Sequence, residues 1–191
     1  MTPVITHWNE IYDWAGLNVR DIVRTKCAAN AYGIDVGAGQ GKYRILLPEL
    51  LRMDACEIWQ PAPVRENLEK LYTRVYHCDA YYLMEELADV IHRQDYQTFA
   101  GYDVAIFGDV LEHMTVERAQ TTLRRACFIS DEVIVVVPYL YPQEPHDDNE
   151  HQRHIQDDLT PEVMTSRYPE LRLVMLESRE GEPFKGIYRR R

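Results

Sequence analysis

The order of the sequence elements predicts an α/β fold: a mostly parallel seven-stranded sheet, helices on both faces, and an antiparallel C-terminal hairpin. Three observations carry that expectation. Five β-like segments are each followed by a helical pattern or a polar stretch that leads into one. The run Glu132-Val133-Ile134-Val135-Val136-Val137-Pro138 is continuously β-branched, as suits a strand buried on both faces. Two further strand-like runs, 171–178 and 183–190, meet about Gly181 with no helix between them, so they read as a hairpin.

In chain order, residues 7–29 carry Trp8, Ile11, Tyr12, Trp14, Leu17, Val19, Ile22 and Val23 at roughly helical spacing. One or two helices are expected there, with a break at Gly16. Tyr32 to Val36 reads as the first strand, ending at Gly37 and followed by a helix over 42–51. The second strand is expected over 55–59, closing at Gln60 before Pro61 and Pro63, with proline suited to the first turn of a helix over 64–72. A third strand, 74–77, leads to Cys78-Asp79-Ala80, and residues 82–94 place Leu83, Leu87, Val90 and Ile91 on one helical face. Residues 102–108 form the fourth strand, and the turn Asp109-Val110-Leu111-Glu112-His113-Met114 opens a helix capped by Thr115. After the fifth strand, residues 139–158 are polar and too long for a routine connector. Thr160-Pro161 then restarts a helix with a cap and proline at its first position.

Composition narrows the function classes. A chain of 191 residues fits one domain, 1–191, with 46% apolar residues and no run long enough to span a membrane. The N-terminus lacks the basic and apolar regions of a signal peptide, and the four cysteines (Cys27, Cys56, Cys78, Cys127) contain no C-x-x-C pair. A reduced, cytoplasmic protein is expected, without structural zinc. The net charge of −10 and the pI of about 5.1 disfavour nucleic acid as a partner, since such binding rests on basic, phosphate-neutralising surface.

The densest signal is Asp35-Val36-Gly37-Ala38-Gly39-Gln40-Gly41-Lys42-Tyr43, a strand-turn-helix junction with alternate glycines. Glycine lets backbone approach a ligand closely, and free N–H groups at a helix start favour a carboxylate or phosphate. A dinucleotide G-x-G-x-x-G fails because Lys42 lies three after Gly39. A P-loop fails at Val36 and Tyr43. A tight βα turn with no ligand is the other reading.

The spacing that remains, Asp35-x-Gly37-x-Gly39-x-Gly41, resembles the first motif of class I S-adenosylmethionine (SAM)-dependent methyltransferases. Asp103 to Met114 resembles the D-x-x-x-x-x-D-V-L-E-H segment of many of them, and the elements match that family's order across essentially the whole chain. The G-x-G-K-Y form is similar to bacterial and phage members, some associated with glycan or antibiotic pathways. The resemblance implies the Rossmann-like methyltransferase fold, SAM as cofactor, and a small-molecule or saccharide acceptor methylated at O or N. Residues 1–30 would then form a helical cover and 139–158 an acceptor-side loop.

The same resemblance assigns candidate residues. The backbone of Gly37, Ala38, Gly39 and Gly41 would hold the methionine part of SAM, with Asp35 orienting the loop or merely tying down its own turn. Asp79 would accept the adenine amino proton with the Ala80 amide beside it, unless Asp79 only starts a turn. Gly108 and Asp109 would face the methyl-bearing sulfonium, although Asp109 also suits a helix cap. Gln60 stands where the family usually has the acid that accepts both ribose hydroxyls, so weaker cofactor binding is expected there, and Glu57, three residues earlier inside the expected strand, is a poor substitute. That substitution keeps open a non-catalytic SAM-binding module, as well as SAM-fold chemistry of another type.

For the acceptor side, His113 follows the glutamate of the fourth-strand motif and reads as a general base or as a structural histidine. The loop His146-Asp147-Asp148-Asn149-Glu150-His151-Gln152-Arg153-His154 matches the family's N-x-x-x-x-H before T-P-E through Asn149, His154 and Thr160-Pro161-Glu162. His154 is its candidate catalytic or binding residue. The spacing H-x4-H-x2-H has the ligand types for a divalent metal but no strong metal signature, so no metal is assigned, and a solvated polar loop is the alternative.

Overall fold

The computed structural model describes residues 13–28, 30–94, 98–145 and 149–191. Its elements run α1 (Trp14–Lys26), β1 (Tyr32–Val36), α2 (Lys42–Leu46), β2 (Arg52–Cys56), α3 (Ala62–Leu71), β3 (Arg74–Tyr76), α4 (Ala80–His92), β4 (Tyr102–Gly108), α5 (Val116–Ile129), β5 (Ser130–Pro138), α6 (Pro161–Arg167), β6 (Leu171–Arg179) and β7 (Glu182–Arg190). Short 3-10 turns at Leu111–His113 and Glu150–Gln152 complete it. The sheet order is β3-β2-β1-β4-β5-β7-β6, with β1 to β5 parallel and β7 antiparallel to both neighbours. The mostly parallel seven-stranded sheet with an antiparallel hairpin is therefore observed.

Strand periodicity builds two cores. Successive side chains of a strand point to opposite faces. In β5, Val133, Val135 and Val137 pack on α4, α5 and α6, while Ile134 and Val136 pack on the α1–α3 side. In β4, Ala105 and Phe107 take the first face and Val104 and Ile106 the second. All nine of these residues are completely buried, which is why β5 reads as an unbroken apolar run.

Three expectations shift. Helix α1 runs through Gly16 without a break, because Gly16 lies in its first turn and donates its N–H to the N-cap Asp13 Oδ1 at 2.6 Å. Residues 1–12, including Trp8, Ile11 and Tyr12, lie outside the described residues. Helix α2 stops at Leu46 rather than 51, since Pro48 disfavours helical geometry at Leu47 and has no N–H to donate.

The consequential shift is in β2, which occupies Arg52–Cys56, three residues earlier than expected at both ends. Asp54 made that segment look unlike a strand. Its carboxylate is completely buried and accepts hydrogen bonds from the hydroxyls of Tyr32 (2.5 Å) and Tyr102 (3.0 Å). Buried acids are tolerated when partnered in this way.

The C-terminal hairpin turns at Glu180 and Gly181, with φ of 52° and 90°, the two left-handed residues of a type I′ connection. Farther along β7, Gly186 faces Tyr139, whose hydroxyl lies 2.5 Å from that of Tyr188. A Cβ on Gly186 would fall 1.8 Å from the Tyr139 oxygen. No helix among the described residues is long and apolar enough to cross a membrane. Replacing Gly186 by Ala is expected to destabilise the fold by about 1–3 kcal/mol in urea unfolding, the cost typical of overpacking.

Candidate functional site

The strand order reverses between β1 and β4, and ligands of open α/β sheets sit beyond the carboxyl ends of the strands at such a point. A cleft of about 1590 Å³ occupies that position. Its walls include Gly37, Gly39, Glu57, Trp59, Asp79, Ala80, Asp109, His113 and Arg118, with residues 149–153 across the opening.

The glycine turn is held from within. Gly37 and Ala38 donate their N–H groups to the Cys56 carbonyl at 2.8 and 3.2 Å, and Gly41 donates to Ala38 at 2.8 Å. Gly39 donates to Glu57 Oε2 at 2.8 Å. The expected set of free N–H donors for an anion is therefore not present at these four positions. Gly37 and Gly41 lack room for a side chain, since a Cβ would lie 2.5 Å from Val110 and 2.6 Å from Leu71. Gly39 differs: a Cβ there would meet nothing within 4 Å, so this glycine borders open cleft.

Because β2 ends at Cys56, Glu57 rather than Gln60 is the residue at the strand's carboxyl end. Glu57 is 7% exposed, and its other oxygen accepts the Trp59 N–H at 2.8 Å. Burial raises its pKa, partly offset by the backbone N–H groups it accepts from. Gln60 is exposed, does not line the cleft, and reaches only the Glu57 carbonyl, at 3.5 Å. An acid therefore stands at the carboxyl end of β2, three residues before Gln60.

Asp79 caps α4, accepting the Tyr81 N–H at 2.8 Å, and its second oxygen takes a hydrogen bond from Arg118 at 2.7 Å. It is thus both a turn-forming and a cleft-lining residue. Arg118, which sequence reasoning passed over, also stacks on Tyr81 with its guanidinium carbon 4.7 Å from the ring centroid. Ala80 lines the cleft beside Asp79. Gly108 does not line it; a Cβ there would collide with Tyr43 at 2.4 Å. Asp109 adopts a left-handed φ of 58°, and the Lys185 ammonium of β7 lies 2.8 and 3.0 Å from its two oxygens. Burial would lower the Lys185 pKa, but the Asp109 charge and hydrogen bond outweigh it and raise the pKa overall.

Asp35 does not line the cleft. It is completely enclosed, with Oδ2 accepting the Tyr72 hydroxyl at 2.5 Å and Oδ1 unpartnered. Burial pushes its pKa up to about 7, against the opposing effects of Tyr72 and Lys42. Ala38 and Gly41 are likewise behind the cleft wall.

On the opposite side, Glu112, His113 and His154 converge: one potential ligand atom from each lies within 4.8 Å of the others. Glu112 is fully buried and neither carboxylate oxygen has a hydrogen-bond partner. Burial, then the charge of Asp109, raise its pKa well above the ordinary carboxylate value. His113 Nδ1 is 3.1 Å from the Arg153 carbonyl and His154 Nδ1 is 2.5 Å from the Tyr141 carbonyl. A carbonyl only accepts, so both Nδ1 atoms carry a proton, and in the neutral ring Nε2 is the nitrogen with the lone pair. Burial lowers the His113 pKa, which favours that neutral form. The segments are locked together, as Ile155 and Gln156 donate their N–H groups to the Glu112 carbonyl at 2.8 and 3.0 Å. Gln156, 3% exposed, also donates its side-chain amide to the Leu111 and Met114 carbonyls.

The histidines of the polar loop separate. His154 joins His113, whereas exposed His151 lines the cleft and acts electrostatically on Glu57. His146, Asp147 and Asp148 lie outside the described residues. Asn149 is 5% exposed and accepts the His151 N–H, a structural role the spacing did not reveal.

No protein-family model and no curated protein sequence matches the chain. Solved structures do match in fold. A SAM-dependent methyltransferase from Archaeoglobus fulgidus aligns at TM-score 0.61 and 13% identity, covering 91% of this chain and 92% of that one. Magnesium protoporphyrin IX methyltransferase from Synechocystis, with bound SAM, aligns at TM-score 0.54 and 13% identity, covering 90% and 75%. The N-terminal domain of EvdMO1, in the presence of S-adenosylhomocysteine (SAH) and D-fucose, aligns at 0.56 and 14% over 90% and 82%.

Asp35 gives a pH signature. Its folded pKa of about 7 exceeds the unfolded value near 3.8, so its stabilising contribution is complete below that value and is lost as pH rises to about 7. The melting-temperature gain of Asp35→Asn over wild type should therefore grow from pH 4.5 to pH 7.5 and then level off.

Proposed function

We propose that this chain is a SAM-dependent methyltransferase acting at an oxygen or nitrogen of a small-molecule or saccharide-type acceptor. The observation that carries the reading is Glu57, a buried carboxylate at the end of β2 that touches the Gly39 backbone inside the cleft. A carboxylate there accepts the two ribose hydroxyls of SAM through charge-assisted hydrogen bonds. Asp79 and the Ala80 amide, first in its helix, take the adenine edge. Arg118 holds Asp79 oriented. Trp59 flanks the same wall. Gly39, with no side chain to obstruct it, admits the methionine part, and Asp35 lies behind the loop, bonded to Tyr72. A non-catalytic module was suggested by the absence of an acid at Gln60; Glu57 removes that ground. The fold matches two solved methyltransferases, one with bound SAM, and a further domain described in the presence of SAH.

The chemistry asks little of the protein beyond alignment and water exclusion, because the sulfonium is already an activated leaving group. The acceptor lone pair forms the new bond to the methyl carbon as the carbon–sulfur bond breaks, and the electron pair goes to sulfur, leaving neutral SAH. The acceptor proton is lost on the side where His113 and His154 present their Nε2 atoms. The net charge of −10 favours a small acceptor over nucleic acid.

Calorimetric titration with SAH is expected to show one site. Glu57→Ala should weaken it by about tenfold or more, the loss expected of charge-assisted hydrogen bonds. His113→Ala and His154→Ala should keep SAH affinity within about twofold while abolishing turnover in a screen of hydroxylated metabolites and sugars. No binding by wild type at millimolar SAH would overturn the proposal.

A further inference from the structure

The Glu112–His113–His154 cluster has more ligand chemistry than a proton transfer requires. A single histidine serves as a base. Here two imidazoles lie with ring centroids 4.7 Å apart, next to a carboxyl group that is sealed from water and has no hydrogen-bond partner. Leaving a buried carboxylate unpartnered costs the whole of its lost hydration. Natural folds keep such a group where an ion or a ligand completes it.

We propose that Glu112, His113 and His154 form a binding site for a first-row divalent transition metal such as zinc, cobalt or manganese, bound through one carboxylate and two Nε2 atoms. The donor set has the composition of catalytic sites that keep coordination positions open. Each imidazole has the outer support such sites use: Nδ1–H of His113 on the Arg153 carbonyl and Nδ1–H of His154 on the Tyr141 carbonyl engage one ring nitrogen and leave Nε2 as the nitrogen for a metal. The positioning is preorganised, since Ile155 and Gln156 bind the Glu112 carbonyl and so hold the histidine-bearing segment in register with the 111–113 turn. The nearest fixed cation, Lys185, is engaged with Asp109 and leaves Glu112 without a hydrogen-bonded counter-charge.

Resting on the methyltransferase reading, the open positions would take the acceptor oxygen. A hydroxyl bound to the metal gives up its proton to solvent more readily, and its oxygen is oriented toward the methyl group in the adjoining cleft. That favours acceptors with an ionisable hydroxyl, or with two neighbouring oxygens that can chelate. The metal site itself does not depend on that reading.

The test uses full-length protein dialysed against a chelator and titrated with zinc and cobalt by calorimetry, with the visible absorption of bound cobalt as a second readout. One metal per chain is expected, with a cobalt band diagnostic of nitrogen and oxygen ligands. Glu112→Gln, which keeps the shape of the side chain, and His154→Ala should each weaken metal binding by about tenfold or more. His77→Ala and His151→Ala should leave it within about twofold. Absence of stoichiometric binding, equal affinity in Glu112→Gln, or an equal loss in His151→Ala would overturn the assignment. SAH titrated into the same metal-free samples separates the two ideas. SAH binding without any metal site leaves the cofactor reading intact and rejects this one; metal binding that needs Glu112 and His154 without SAH binding does the reverse.

Discussion

The site depends on one constraint of topology: the chain reverses its direction of growth between β1 and β4, so neighbouring parallel strands send their following loops to opposite faces of the sheet. The glycine turn after β1 and the Asp109 turn after β4 part at that point and leave a crevice that no side chain of the sheet can fill. Backbone hydrogen bonds hold both lips. Gly37 and Ala38 hang on the β2 carbonyl of Cys56, and the Asp109 N–H binds the Val136 carbonyl of β5 at 3.0 Å. The cleft is thus framed by buried strands, apolar in β4 and β5 apart from their first residues and carrying the buried acids Asp35 and Asp54 in β1 and β2.

Within that frame, four buried carboxylates mark a gradient of satisfaction. Asp54, deep in the sheet, has two tyrosine hydroxyls. Asp35, beneath the glycine turn, has one. Glu57 has two backbone N–H groups and stands at the cleft wall. Glu112 has nothing. Asp54 and Asp35 each leave one oxygen unpartnered away from the cleft, whereas both Glu57 oxygens are held at its wall and neither Glu112 oxygen is held at all.

The sheet, its order of elements and its antiparallel hairpin are legible in the sequence because burial on both faces writes long β-branched runs and because caps such as Thr115 and Thr160 mark helix starts. Thr160 Oγ1 accepts the Val163 N–H at 3.2 Å, as its sequence context anticipates. Element ends are less legible where an acid is buried: Asp54 disguised a strand, and the resulting three-residue error exchanged Glu57 for Gln60. The pairing of His113 with His154 rests on contacts 41 positions apart in the chain, which no local pattern encodes. Glu112 was visible only as part of a motif; its burial without a partner is a property of the folded molecule. Arg118 and Lys185 escaped for the same reason, since each acquires meaning only through the carboxylate it meets.

The long polar connector after β5 is fastened at a few backbone points. Leu140 binds the Leu159 carbonyl, His154 binds the Gln143 carbonyl, and Ile155 and Gln156 bind Glu112. Those bonds involve main-chain atoms and are indifferent to what lies between Gln143 and His154. The connector is therefore an interchangeable cassette: its outer stretch can vary in length and character to suit different molecules entering the crevice, while the paired imidazoles stay in register. A lineage built on this chain could diversify what it handles without rebuilding how it handles it.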